Sequence, residues 1–165
     1  MQKINVNGVK AQLRIYTGNI LTEEMNLALN KGESSIVMGC VPASEVYKIQ
    51  QDADMLVHVE GLDEKSAQLV RHSFSTKLVD YFKMSRPILA VGPRGVASIE
   101  HLIENDCTVY ADNECELVKK ISNLIQNYEL LDELSLKSYN CGKSNHDDSI
   151  MKNLIRNDLE IITSK

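Results

Sequence analysis

At 165 residues, 43% hydrophobic and 25% charged, the chain is long enough for one domain with a real core and too apolar to be disordered. Its net charge of −5 argues against a broad nucleic-acid surface, which needs clustered Lys and Arg, and with no Trp and only 5% aromatic residues it is poor in the platforms on which single strands stack. No apolar run reaches the roughly 18–20 residues that cross a bilayer, and MQKINVNGVK has neither the apolar centre nor the cleavage site of a signal peptide.

In chain order, residues 2–8 read as the end of a helix closed by Gly8 in the left-handed region. Gln12 to Thr17 alternates and is β-rich, so a strand is expected there. Thr22 caps a helix carrying Met25, Leu27, Ala28 and Leu29, which Gly32 ends. A strand follows over Ser35 to Met38, then a helix from Pro42 and Ser44 to Asp54 with Val46, Tyr47 and Ile49 on its apolar side, then a strand over Met55 to Val59. Glu60 to Val70 reads as a loop with at most a helical turn. A helix from Ser75 and Thr76 is stopped by Pro87, and Ile88 to Val91 is a short buried strand. A helix over Val96 to Glu104, a strand over Cys107 to Ala111 and helices over 114–126 and 128–139 come next. Cys141 to Asn145 is a break rich in Gly, Ser and Asn, and a last helix over Ser149 to Thr163 lies in a C-terminal segment, 146–165. Alternating strands and helices with short links predict a single α/β domain over 1–165, a Rossmann-like parallel sheet with helices on both faces.

Ligands of such sheets bind beyond the carboxyl ends of the strands, here after Thr17, Met38, Val59, Val91 and Ala111. The stretch RHSFSTKLVD enters from the loop after Val59, and its charge is unusual. A helix start carries about half a positive charge and favours acids. Here Arg71, His72 and Lys77 precede the first acid, Asp80. A phosphate would repair that mismatch, because free backbone amides at a helix start would point at it; the plain alternative is a solvated basic helix start. Asp80 is either an ion-pair partner one turn beyond Lys77 or a ligand for ribose hydroxyls. Glu100 and Ser98 open the next helix, where Glu100 complements the dipole.

Several chemistries lack their residues. There is no P-loop, no G-x-G-x-x-G after a strand and no G-x-S-x-G elbow. The acidic pair of a receiver domain is missing after Thr17, where the chain reads Gly18-Asn19-Ile20. His58 reads as a packed polar residue, and His101 and His146 as surface residues. Cys40, Cys107, Cys115 and Cys141 show no C-x-x-C spacing and suggest no zinc or other metal. Cys40 and Cys107 read as small buried hydrophobes, and a reducing cytoplasm is the simplest setting.

The ordered run VMGCVPASEVYKIQQDADMLVHVE, then SFSTKLVDYFKMSRPILAVGPRGVASIEHLIENDCTVY, then ECELVKKISNLI resembles the C-terminal, donor-binding domain of GT-B-fold, family-4-like glycosyltransferases. The matching features are Gly39 at a strand end, Ala53-Asp54, the helix with Asp80, and Arg86-Pro87-Ile88 in place of the family's GxPV. The family's E-x7-E signature falls on His72 and Asp80, with Ser75-Thr76-Lys77 between them. The resemblance implies a nucleotide diphosphate sugar donor and no separate cofactor. By it, Arg71, Ser75, Thr76, Lys77 and Leu78 hold the diphosphate, Asp80 the ribose, Cys40 and Val41 the base, and Gly92 and Arg94 the sugar or phosphates. His72 replaces the acid that would act on the transferred sugar.

The same alignment places KINVNGVKAQLRIYT at the end of the family domain's first helix and at its second strand, so the first βα unit is missing. The N-terminal acceptor domain is missing too. The chain then reads as a piece of a longer enzyme or a natural truncation, without turnover alone, whose acceptor is a glycan or lipid-linked molecule and whose place is the cytoplasm or the inner membrane face. Strand 12–17 is then expected to pair with 55–59, or to leave an open edge that invites a second copy. An unpaired gap there in one chain counts against the alignment. The other readings are a non-enzymatic α/β interaction module and another GT-B-type enzyme such as a nucleotide-sugar epimerase.

Overall fold

The structure is a computed structural model that describes residues 1–8 and 10–163. Val9 and the last two residues of the segment expected at 146–165 lie outside the described residues. The elements alternate as expected: β1 (Leu13–Tyr16), α1 (Glu23–Leu29), β2 (Ser35–Gly39), α2 (Ala43–Asp52), β3 (Leu56–Val59), α3 (Glu64–Val70), α4 (Lys77–Lys83), β4 (Ile88–Val91), α5 (Ala97–Glu104), β5 (Val109–Ala111), α6 (Glu114–Gln126), α7 (Tyr128–Asn145) and α8 (Asp148–Thr163). All strand pairs are parallel, and the fold is α/β and Rossmann-like.

β4 is the centre of the packing. Its side chains alternate across the sheet, and both faces are covered. Ile88 and Ala90 meet Leu78 and Phe82 of α4, Ile99 and Leu102 of α5, and Cys141 of α7. Leu89 points the other way, to Ile4 and to Ile121 of α6, with Val57, Val109 and Leu117 around them. Leu78, Ile88, Ile99 and Leu102 are fully buried, and each contributes about 1.5–3 kcal/mol of transfer free energy. β3 and β5 flank β4 in register, Leu56 beside Ile88 and Leu89 beside Val109.

The sheet does not continue to β1. β1 and β2 form a separate two-stranded sheet, and β3, β4 and β5 a three-stranded one. Among the described residues the expected pairing of 12–17 with 55–59 is absent: β1 pairs with β2, and β3 with β4. This is the unpaired gap that counts against the family alignment over the first strands. Packing around β1 and β2 is thin as well. α1 and α2 bury no residue, and Met25, Leu27, Val46 and Tyr47, expected on their apolar sides, are exposed. Residues 1–5 form one helical turn, with Ile4 N–H and Asn5 N–H donating to Met1 O at 2.9 and 3.1 Å. Gly8 has a φ of +103°, the left-handed region expected for it.

Two expected boundaries move. Residues 64–70 are a helix rather than a loop, because Asp63 caps it by accepting from Ser66 N–H at 2.9 Å. Residues 141–145 continue α7 rather than break it. The small residues there serve packing: a Cβ on Gly142 would stand 2.4 Å from Phe82 Cβ, so only glycine lets α7 lie this close to α4. Ser85 and Asp106, which close the links into β4 and β5, sit at positive φ of 53° and 50° without being glycine.

The Gly142 contact sets the sign of a substitution. Alanine inside a helix normally gains up to about 1 kcal/mol over glycine. Here G142A is expected to lose about 1–3 kcal/mol by overpacking against Phe82, read as a lower urea midpoint. An unchanged or raised midpoint would show that α4 and α7 do not meet as described.

Candidate functional site

The carboxyl ends of β3 and β4 gather most of the polar side chains of interest. His58, the third residue of β3, is only 5% exposed. Its Nε2 lies 3.1 Å from Ser98 Oγ and 3.2 Å from Glu60 Oε1. Ser98 Oγ–H donates to Glu60 Oε1 at 2.9 Å. The hydroxyl has one proton and spends it on the carboxylate, so the imidazole carries its proton on Nε2 and donates. The triangle ties β3 to the start of α5. Ser98 is fully buried and bonded to an acid, which makes it a fixed polar strut rather than a nucleophile. His58 is thus the packed polar residue expected.

Gly92 lies under this triangle. A Cβ there would meet Glu60 Cβ at 3.0 Å and Ile99 at 3.1 Å, so its close approach serves the protein's own packing. The turn after it is braced by Glu100, whose Oε1 accepts from Gly95 N–H at 2.6 Å and whose Oε2 pairs with Arg94 at 3.1 Å. The Arg94 guanidinium also lies 5.9 Å from the centre of the Tyr110 ring.

The stretch 71–80 reaches the same edge. Arg71 O accepts from Ala97 N–H at 2.8 Å, which fastens residue 71 to the start of α5. The Lys77 ammonium is near enough to His58 to act on its charge. Arg71, His72, Thr76, Lys77 and Asp80 are exposed, Ser75 is half-buried, and Leu78 is fully buried. Among the described residues, Arg71, His72, Lys77 and Asp80 have no ion-pair partner, so Asp80 does not pair with Lys77. Among the described residues the amides of Thr76 and Lys77 take no carbonyl, whereas Leu78 N–H already donates to Ser75 O at 3.1 Å. The Leu78 amide is therefore not free for an anion.

The charge argument needs correction at two residues. Since 64–70 is a helix, Arg71 and His72 stand at its C-terminal end, with Arg71 as its C-cap, where positive charge is favoured. Only Lys77 remains a cation at the start of α4. Cys40 and Val41 follow β2, on the separate two-stranded sheet, and Cys40 is exposed rather than buried.

His101 and His146, expected on the surface, are half-buried. His146 stacks on Phe74 and Phe82 with ring centres 5.1 and 5.2 Å apart, and its Nε2 is 3.0 Å from His101 Nε2. Sequence reasoning missed Glu60 as a site residue. The available signal was an acid placed immediately after an apolar strand, at the edge where ligands bind. Among the described residues, no group of three or more His, Cys, Asp or Glu side chains is arranged to hold a metal ion, and no helix is long and apolar enough to cross a membrane.

Comparison of the chain with protein-family models, with curated proteins and with solved structures gives no match.

Burial holds His58 below its ordinary pKa of 6.5, outweighing the pull of Glu60, and Lys77 lowers it further. His146 is lowered in the same way, first by burial and then by His101. The unfolded chain takes up these protons near pH 6.5 while the folded chain resists them. Stability is therefore expected to be full above pH 6.5 and to fall below it until the folded groups also titrate. H58Q should flatten part of that fall, seen as a smaller difference between urea midpoints at pH 7.5 and 5.5. An equally steep fall in H58Q would remove His58 from the account.

Proposed function

We propose that this chain is the donor-binding part of a glycosyltransferase, one that moves a sugar from a nucleotide diphosphate donor to a glycan or lipid-linked acceptor. The observation that supports the reading best is the position of Lys77. Among the described residues its cation has no carboxylate partner, its charge acts on His58 at the carboxyl end of β3, and it stands one turn before the exposed carboxylate of Asp80. The order of motifs over 53–111, from Ala53-Asp54 through Ser75-Thr76-Lys77 to Arg86-Pro87-Ile88, adds to it.

In this reading the diphosphate lies on the free amides of Thr76 and Lys77, with the Lys77 ammonium against its oxygens. Arg71 offsets further charge from its place at the end of α3. Asp80 accepts from the ribose hydroxyls. Arg94, held by Glu100, faces the same edge. The developing charge on a leaving nucleotide diphosphate is stabilised by these fixed cations and amides. The acceptor is bound by a further domain, and the whole enzyme works in the cytoplasm or on the inner membrane face. His72 in place of an acid favours a second reading, an α/β module that binds a nucleotide and does no chemistry.

Titration of the folded chain with UDP, GDP and ADP by calorimetry or NMR tests the donor site. Binding by at least one diphosphate is expected. K77A should weaken diphosphates by roughly tenfold or more, since a hydrogen bond to a charged group contributes about 1.5–3 kcal/mol, and should leave nucleosides nearly untouched. D80A should weaken both. No binding at millimolar nucleotide, or equal losses for diphosphate and nucleoside in K77A, would overturn the assignment.

A further inference from the structure

A strand turns half of its backbone groups to one neighbour and half to the other side, and the outer sides of the strands differ in what meets them. In β2 the outward residues are Ser35 and Val37: Ser35 O accepts from Lys31 N–H and Val37 N–H donates to Asn30 Oδ1, both at 2.8 Å. In β3 the outward Val57 O accepts from Tyr81 Oη–H at 3.4 Å. In β5 the outward Tyr110 carbonyl accepts from Lys120 Nζ. β1 is different. Thr17 N–H donates to Gly39 O at 2.9 Å, so Leu13, Ile15 and Thr17 turn their backbone groups to β2, while Arg14 and Tyr16 turn theirs away. Among the described residues nothing meets the N–H or C=O of Arg14 or Tyr16. The Arg14 guanidinium is exposed, and its partner is the Gln12 side chain at 2.8 Å rather than a carboxylate.

The unit that carries this edge is short of cover in other ways. A two-stranded sheet is marginal by itself. α1 and α2 bury none of their residues, and Met25, Leu27 and Tyr47 stand in solvent.

We propose that β1 pairs with β1 of a second copy of this chain, antiparallel about a two-fold axis, to make one four-stranded sheet in the order β2-β1-β1-β2.

The strand's own sequence selects this occupant. A two-fold axis at a strand edge makes the joined strands antiparallel and the contact self-complementary. The outward residues then form the pairs that exchange both N–H···O bonds. Arg14 opposite Arg14 would set like charges together. Tyr16 opposite Tyr16 would leave Arg14 facing Gly18, beyond the end of β1. Arg14 opposite Tyr16 of the second copy uses the outward N–H and C=O of both residues in both copies. That register lays each guanidinium beside an aromatic ring. On the other face of the strand it sets Ile15 against Ile15 across the axis and Leu13 against Thr17. Every open group of the edge is satisfied, and an edge that invites indiscriminate pairing is closed. Nothing in the argument rests on the nucleotide reading.

Sedimentation of the full chain tests the pairing, in the variant C40S/C115S so that the exposed cysteines do not link copies. Over a series from micromolar to millimolar protein, the mass is expected to approach twice the 18.5 kDa of one chain. Y16K sets a lysine opposite Arg14 at both ends of the contact and should weaken self-association roughly tenfold or more, because like charges are brought together. R14E/Y16K makes each pair opposite in charge again and should regain most of that loss. I15C adds a readout that does not depend on charge: its two thiols face each other across the axis, so mild oxidation should give a covalent dimer, whereas L13C, placed opposite Thr17, should not. A monomer at every concentration would overturn the proposal and leave the edge to a different chain. A dimer of unchanged affinity in Y16K, or one that I15C does not link, would also overturn it, since the copies would then meet elsewhere, as at the exposed Leu154 and Ile155 of α8.

Discussion

The double burial of β4 is the constraint on which the rest of the molecule depends. A strand covered on both faces must be apolar throughout, and Ile88, Leu89 and Ala90 satisfy that in three consecutive positions. The need to cover both sides dictates the helices: α4, α5 and α7 on one face, α6 and the first helical turn on the other. Once the apolar residues have gone inward there, polar groups collect at the strand ends. The His58–Glu60–Ser98 triangle is the clearest case, since three polar side chains are accepted at a buried edge only because each satisfies another. The candidate site is thus a by-product of how the core closes.

The two halves of the chain differ in how strongly they are held. Residues 56–145 supply nearly all the fully buried side chains. Residues 13–52 contribute a two-stranded sheet and two helices with no buried residue. Arg86 Nη2 donates to Gln51 O at the end of α2, while the preceding turn is held to the larger sheet by Ile4 against Leu89 and Ile121 and by Lys3 paired with Glu114 at 2.8 Å. A part with so little buried apolar surface opens at lower free energy than the core does. The separate β1–β2 pair is consistent with that inequality.

Much of the fold could be read in the chain because strands such as 88–91 and helices such as 114–126 carry strong periodicity. Asp63 as a cap, Ser66 three residues on and a weak apolar pattern over 64–70 were too faint a sign of a helix, and missing it led to charge being misassigned at Arg71 and His72. The glycine and serine near 142 looked like a loop because composition cannot tell a breaker from a close helix contact; only Phe82 on the facing helix decides it. The Lys77 end of the site was legible from its charge and from strand order. The His58–Glu60–Ser98 triangle was not, because residues 40 apart in the chain meet only after β3 and α5 have packed.

The links that bring the chain into β4 and β5 show how differently one backbone conformation can be occupied. Ser85 and Asp106 both take the left-handed shape that costs an ordinary residue roughly 1–2 kcal/mol. At Ser85 no side-chain partner compensates among the described residues, so the position is a plain steric debt that glycine would cancel. At Asp106 the carboxylate reaches Lys137 Nζ at 2.6 Å and so clips the link to α7. Glycine there would relax the backbone and release the clip together. One of these two corners is open to drift in sequence toward a less strained residue, while the other is kept in place by its neighbour.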